Sequence, residues 1–267
     1  MAAASPAEVP DEVRTEYLLR LGDDALVLGQ RLSEWCGHGP ILEVDISLAN
    51  LALDLVGQAT LLLEEAGDGD KLAFHRDVLE FRNSLLVEQP NGDFAQTIAR
   101  HLLHTTWQHM LFQRLTQSSD RFLVEFATKA VKEVAYHREL AAEWTIRLGD
   151  GTEESARRMA EGLDWCWRFV PELFEVDEAL QAAVDAGIAP DPRSFEDEYR
   201  SAITTVLGEA KLEAPAVQRA IAGVLIRADA RDFADPELVR ALRRYRVASP
   251  DGEDVIDVLI RRLQTVS

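Results

Sequence analysis

The chain has 267 residues, 47% of them hydrophobic, and carries 47 Asp and Glu against 28 Lys and Arg, a formal charge of −19. That length buries a core without staples, and the composition is not that of a disordered chain. The charge repels phosphate backbones and anionic bilayers, so neither nucleic acid nor membrane is an expected partner. Along the chain, Leu18, Leu21, Ala25, Leu28, Leu32 and Trp35 recur at alternating steps of three and four, one continuous helical stripe that Gly37, Gly39 and Pro40 end. The next helix reads DISLANLALDLVGQATLLLEEA and is apolar almost all round, the pattern of an element buried in mid-bundle. Its interior polar residues, Ser47, Asn50, Asp54 and Gln58, fall on one face. An irregular stretch then runs to the turn QPNGD at Gln89 to Asp93. A third helix is expected from about Phe94 to Gln117. A fourth has its stripe at Leu123, Phe126, Ala130, Val134, His137, Ala141 and Trp144. A fifth covers SARRMAEGLDWCWRFVPELFEV, where Pro171 should bend or break it. A loop at 187–194 leads to further short helices.

No stretch alternates with period two, and no repeat or low-complexity tract is present. Long helices joined by short connections predict an all-α fold: a ferritin-like antiparallel four-helix bundle with additional C-terminal helices. The expected division is a flexible tail at 1–12, the bundle at 13–186, and a linker with C-terminal helices at 187–267. Two cysteines, Cys36 and Cys166, fit a reducing compartment. The start MAAASPAEVPDE is short, polar and acidic, unlike a secretion signal, and no run of about 18 apolar residues is evident, so the expected location is cytoplasmic.

A four-helix bundle raises the question of an interior metal site. Ferritin-like di-iron sites take a Glu from each of two helices and a Glu-x-x-His from each of the other two, because three-residue spacing aims both side chains at one interior point. The six histidines are His38, His75, His101, His104, His109 and His137, and three positions before them stand Trp35, Leu72, Ile98, His101, Thr106 and Val134. None is an acid, so the usual pair is missing. What remains is a polar set at helical spacing: Asp24 and Asn50, Asp54 and Glu133, with His137 on the fourth stripe. Such a set reads as a buried network of hydrogen bonds and ion pairs that fixes the bundle, in preference to a metal or proton site, because buried charges are costly unless paired. His101 and His104, with Gln108 beyond, give a weak zinc hint, outweighed by a solvated or partner-facing pair. No GxGxxG, GxxxxGK[ST] or GxSxG occurs. Both cysteines read as packing residues and RALRRYR at 240–246 as an exposed basic helix face, while Trp165 and Trp167 belong to the core or an interface.

Several strings resemble the C subunit of the bacterial phenylacetyl-CoA epoxidases. YLLRLGDDALVLGQRLSEWCGHGPILEVDISLANLALDLVGQA at 17–59 is the longest, and LLVEQPNGDFAQTIAR at 85–100, KAVKEVAYH at 129–137 and LDWCWRFVPELF at 163–174 follow in the same order. The resemblance covers roughly 14 to 200 and implies a ferritin-like partner of a catalytic A subunit that holds the di-iron centre and binds the acyl-CoA. Set against the A-type motifs, Asp-Glu-Ala-Gly-His falls on Asp54, Leu55, Val56, Gly57 and Gln58, so the two ligand positions carry Leu55 and Gln58. Lys-Glu-Glu-Ser-Phe-His falls on Lys132 to His137, where Val134 replaces the ligand Glu and only His137 is kept. The C-terminal region from PAVQRAIAG onward departs from the family pattern. The resemblance thus implies a structural, non-catalytic subunit without a cofactor of its own, in a complex that epoxidises the ring with O₂ and NADPH. The B subunit and the reductase are further candidate partners. The rival expectations are a ferritin-like oxygenase or oxidase with an unusual metal site, and an unrelated helical binding protein.

Overall fold

The computed structural model describes residues 10–215, and every described element is helical. Helix α1 spans Asp11–Ser33 and α2 spans Leu42–Ala66, packed together along their lengths after a short connection. A crossover then carries α3 (Gly69–Phe74), a 3-10 turn at Val78–Glu80 and α4 (Leu85–Glu88). It delivers the chain to the second long pair, α5 (Phe94–Leu115) and α6 (Arg121–Gly149). Two helical hairpins joined by one long crossover are the ferritin-like plan.

The helix starts follow from local chemistry. Asp93 accepts from Gln96 N at 2.9 Å, Asp120 from Leu123 N at 3.0 Å, and Thr152 forms a capping box with Ser155. Each satisfies backbone donors that have no intrahelical acceptor. Helix α7 (Glu153–Trp167) packs on α5 and α6 and ends before Pro171, which sits in a 3-10 turn at Val170–Phe174, so the proline terminates the helix as its ring geometry requires. Helices α8 (Glu178–Asp185) and α9 (Glu196–Glu209) complete the described chain.

The boundary expected at residue 186 is not there. Residues up to Pro215 form one compact unit, and Ile188, Phe195, Tyr199, Ile203 and Leu207 lie in the core that also holds Leu102, Leu103 and Phe126. The Tyr199 hydroxyl donates to Leu103 O at 3.2 Å, tying α9 to α5. The loop proline and glycine signals were real, but the helices beyond them bury their apolar faces on the bundle. The greater part of the expected flexible tail, together with residues 216–267 and their basic run at 240–246, lies outside the described residues.

Helix α2 also departs from expectation. It is buried on one side only: Leu48, Leu51, Leu55, Leu62 and Leu63 face the core, while Leu42, Ile46, Leu53 and Leu61 are exposed. It is long and apolar enough to meet the usual criterion for a membrane span, contrary to the sequence reading, yet 44% of its most apolar window is buried inside the bundle.

Candidate functional site

Most of the residues singled out in the sequence meet in mid-bundle, where α1, α2, α5 and α6 face one another. Leu55 and Val134 are fully buried hydrocarbon. The imidazole of His137, on α6, is fully buried and pairs through Nε2 with Asp54 Oδ2 on α2 at 3.1 Å, while the Asp54 side chain stays 41% exposed. The His137 ring lies 5.6 Å, centroid to centroid, from that of His101 on α5. One turn on, His104 Nε2 is 3.5 Å from Asp24 Oδ2 on α1. In parallel, Gln108 Nε2 donates to Gln58 Oε1 at 3.5 Å, and Gln58 Nε2 donates to Glu133 Oε2 at 2.9 Å. A band of polar groups thus crosses the core from half-exposed Asp54 to buried Asp24.

Three expected placements are corrected by this arrangement. His101 and His104 are fully buried, not solvated, because α5 is the most enclosed helix and every residue from Thr97 to Thr106 is buried. Asn50 is exposed on the outer side of α2 and does not join the network. Glu133 is exposed as a residue and reaches inward only through its bond to Gln58. Of the four residues assigned to a buried network, Asp24 alone is buried.

The band is under-satisfied. Both ring nitrogens of His101, Nδ1 of His104, Nδ1 of His137 and Oε1 of Gln108 are buried without a hydrogen-bond partner among the described residues. Burial, reinforced by neighbouring His137, His104 and Arg100, holds the His101 imidazole well below the usual range, so it is neutral near pH 7. Burial likewise lowers His137, against the opposing pull of Asp54.

Asp23 was not foreseen. It is fully buried beside Asp24 and forms an ion pair with Arg76, whose Nη1 donates to it at 2.9 Å, and it accepts from Arg82 N at 2.7 Å. Asp24 Oδ1 accepts from Ser84 N at 2.5 Å. The acid pair therefore pins the crossover onto α1, and burial raises the pKa of Asp23 despite Arg76. Two adjacent acids inside a leucine stripe were the available signal. Arg100 was also missed: it is the largest fully buried side chain, and it grips the turn through Gln89 O and, at 2.5 Å, Asn91 Oδ1. Burial brings its pKa down to about 10. The thiol of Cys166 is pushed up to about 12, an unreactive packing group.

A di-iron centre does not fit these residues. Its ligand set is carboxylates and histidines from four helices, whereas the positions that the resemblance aligns with the two Glu-x-x-His pairs carry two hydrocarbons, one neutral amide already bonded to Glu133, and one histidine. Among the described residues no three His, Cys, Asp or Glu side chains are disposed to hold a metal ion.

The sequence matches the family described as phenylacetic acid catabolic protein over residues 1–223. It is also 47% identical over 210 residues to the C subunit of the 1,2-phenylacetyl-CoA epoxidase of Escherichia coli (strain K12), covering 76% of this chain and 85% of that protein. The chain belongs to the phenylacetic acid catabolic protein family. The family match covers every helix described above. It ends at residue 223.

Proposed function

We propose that this chain is the structural, non-catalytic subunit of a multicomponent epoxidase that acts on the aromatic ring of phenylacetyl-CoA. In this reading it holds no metal, and it supports a separate catalytic A subunit that carries the di-iron centre and draws on O₂ and NADPH through a reductase. The observation that carries the reading is the centre of the bundle. By the resemblance, Leu55 and Val134 stand where the two Glu-x-x-His pairs would place their carboxylates, and both are packed into the core with no exposed surface. A hydrocarbon cannot ligate, and neither can swing away without opening a cavity. The kinship to the C subunit of an epoxidase supports the assignment of substrate class.

The chain's own residues perform no chemical step in this reading. They keep a rigid bundle in register, with Asp23 and Asp24 fixing the crossover and Arg100 fixing the turn before α5. The test has two parts. Loading the purified chain anaerobically with ferrous iron, followed by elemental analysis, should leave well under one iron per chain. Co-expression with the catalytic subunit should give a complex that epoxidises phenylacetyl-CoA, and neither chain alone should do so. Two irons bound per chain, or full activity of the catalytic subunit alone, overturns the assignment.

A further inference from the structure

The polar band in mid-bundle is short of hydrogen-bond donors. A carboxylate only accepts, so the Nε2 atoms of His104 and His137, which face Asp24 and Asp54, carry the proton, and in the neutral rings each Nδ1 is left as a lone pair. Both Nδ1 atoms are buried without a partner among the described residues, and so is Oε1 of Gln108. His101 adds one lone pair and one N–H, since neither of its ring nitrogens is engaged. Trp107, whose ring centroid is 5.7 Å from that of His104, adds a second buried N–H without an acceptor. Four lone pairs therefore stand against two N–H groups.

These atoms share one neighbourhood. His101, His104 and Gln108 follow one another at single turns of α5, and the His101 and His137 rings are 5.6 Å apart. The nearby side chains have nothing left to offer them. Gln58 gives its amide to Glu133 and its carbonyl to Gln108, and Arg100 is turned to Gln89 O and Asn91. Buried polar atoms in folded proteins are paired with protein or with ordered water, because an unmade bond forfeits the hydration that the group had when exposed. The mixture of donors and acceptors selects the ligand. A metal ion takes lone pairs but cannot accept from the N–H groups of His101 and Trp107, and among the described residues no three His, Cys, Asp or Glu side chains are disposed to hold one. An anion would meet four lone pairs and the acids Asp24 and Asp54. A water molecule brings two O–H donors and two lone pairs, so two waters match the four lone pairs and both N–H groups.

We propose that the centre of the bundle is a hydration site, in which at least two ordered waters bridge His101 to His137 on one side and to His104, Trp107 and Gln108 on the other. The site meets solvent at Asp54, whose side chain is 41% exposed while its partner His137 is fully buried. Bridging waters bind such groups nearly as well as direct partners do, so the imidazoles stay in the core without a metal and without one another's protons. His101, bonded to water through both nitrogens, exchanges its ring proton with solvent while the fold stays closed. The hydration site stands or falls independently of the subunit role proposed above.

The experiment pairs a high-resolution crystal structure of the full-length chain with NMR of the same chain carrying isotope-labelled histidine. Ordered waters within about 3.2 Å of both His101 nitrogens and of Nδ1 of His104 and His137 are the expected result. In solution the His101 ring N–H should show a cross-peak to water. It should exchange at least tenfold faster than the slowest backbone amides of α5, which open only with the whole fold. Asp54→Leu, which closes the solvent end, should slow that exchange at least tenfold, with circular dichroism showing the fold kept. An unchanged exchange rate in Asp54→Leu overturns the opening at Asp54. If the core is dry and the His101 N–H exchanges no faster than those amides, the hydration site is wrong and the proposed function stands. If a metal ion lies between the imidazoles, with nitrogens at about 2.0–2.3 Å, the hydration site and the metal-free reading fail together.

Discussion

At the scale of single residues, the buried histidines dominate the pH behaviour. His101 is neutral in the folded chain and has no hydrogen-bond partner among the described residues, with its pKa held down by burial, and His137 is lowered too. Once unfolded, each titrates near its ordinary value of about 6.5. Below that pH the unfolded state binds more protons than the folded one, so stability must fall as pH falls. The stability these groups contribute is complete above about pH 6.5, and each can remove up to about 1.4 kcal/mol per pH unit below it. His101→Leu should flatten this acid limb in urea melts from pH 7 to 5. It should also leave stability at pH 7 equal or higher, because it removes two buried nitrogens that lack partners among the described residues. An unchanged acid limb would place the titration elsewhere. Asp54 is a milder case. The sequence suggested a buried partner on an apolar helix, for which loss costs roughly 3–5 kcal/mol, but its side chain is 41% exposed. Asp54→Ala should therefore cost about 1 kcal/mol, the value of one hydrogen bond to His137. Spacing alone placed His137 and Asp54 correctly on facing helices. It could not separate the outer side of α2 from the inner one, so Asn50 was misread. It also could not see that α5 is enclosed on all sides from Thr97 to Thr106, so His101 and His104 were misread in the opposite sense.

Between elements, the contacts that fix register are close backbone approaches and buried polar ties. Gly162 on α7 lies against α5 so closely that an added Cβ would stand 2.7 Å from Gln96 Cα and 2.9 Å from Gln96 N. Backbone cannot yield as a side-chain tip can, so Gly162→Ala should destabilise by about 1–3 kcal/mol despite the better helix propensity of alanine. Denaturant melts would check this, and a gain in stability would mean that α7 rides more loosely on α5. Arg100 makes the complementary tie from α5 to the turn before it. Arg100→Met keeps much of the volume and removes the donors. It leaves Gln89 O and Asn91 Oδ1 without that partner and should cost at least about 2 kcal/mol by the same measurement. The long helices were legible because their stripes are regular: Leu18, Leu21, Ala25, Leu28 and Leu32 are all buried as the periodicity required. The crossover was not, since its order comes from tertiary bonds of Asp23 and Asp24 to backbone donors nearly sixty residues away. No local pattern in 67–93 encodes those bonds, and neither does any local pattern after residue 187 show that α9 completes the core.

Across the whole molecule, an apolar stripe and a strong negative field coexist, and they should govern different steps of association. Exposed apolar side chains such as those of α2 act only after contact, so where a complex buries them they set how long it survives. The charge of −19 acts at a distance and sets how often productive encounters occur. Helix α2 reads as mid-bundle in sequence and lies half outside in the structure, with Leu42, Ile46, Leu53 and Leu61 exposed. Association kinetics separate the two contributions. With the catalytic subunit immobilised, raising ionic strength from about 0.05 to 0.5 M shortens the screening length from over 10 Å to about 4 Å. The association rate of the wild-type chain should drop by about tenfold or more, and its dissociation rate should change little. Leu53→Ala should do the reverse, raising the dissociation rate with the association rate preserved, because it removes apolar contact and no charge. Neutralising exposed acids of α2 with Glu43→Gln and Glu64→Gln should reduce the salt dependence and leave the dissociation rate near that of the wild type. A salt-insensitive association rate would show that the partner carries no complementary basic rim, and a Leu53→Ala variant with wild-type dissociation would remove the stripe from the interface.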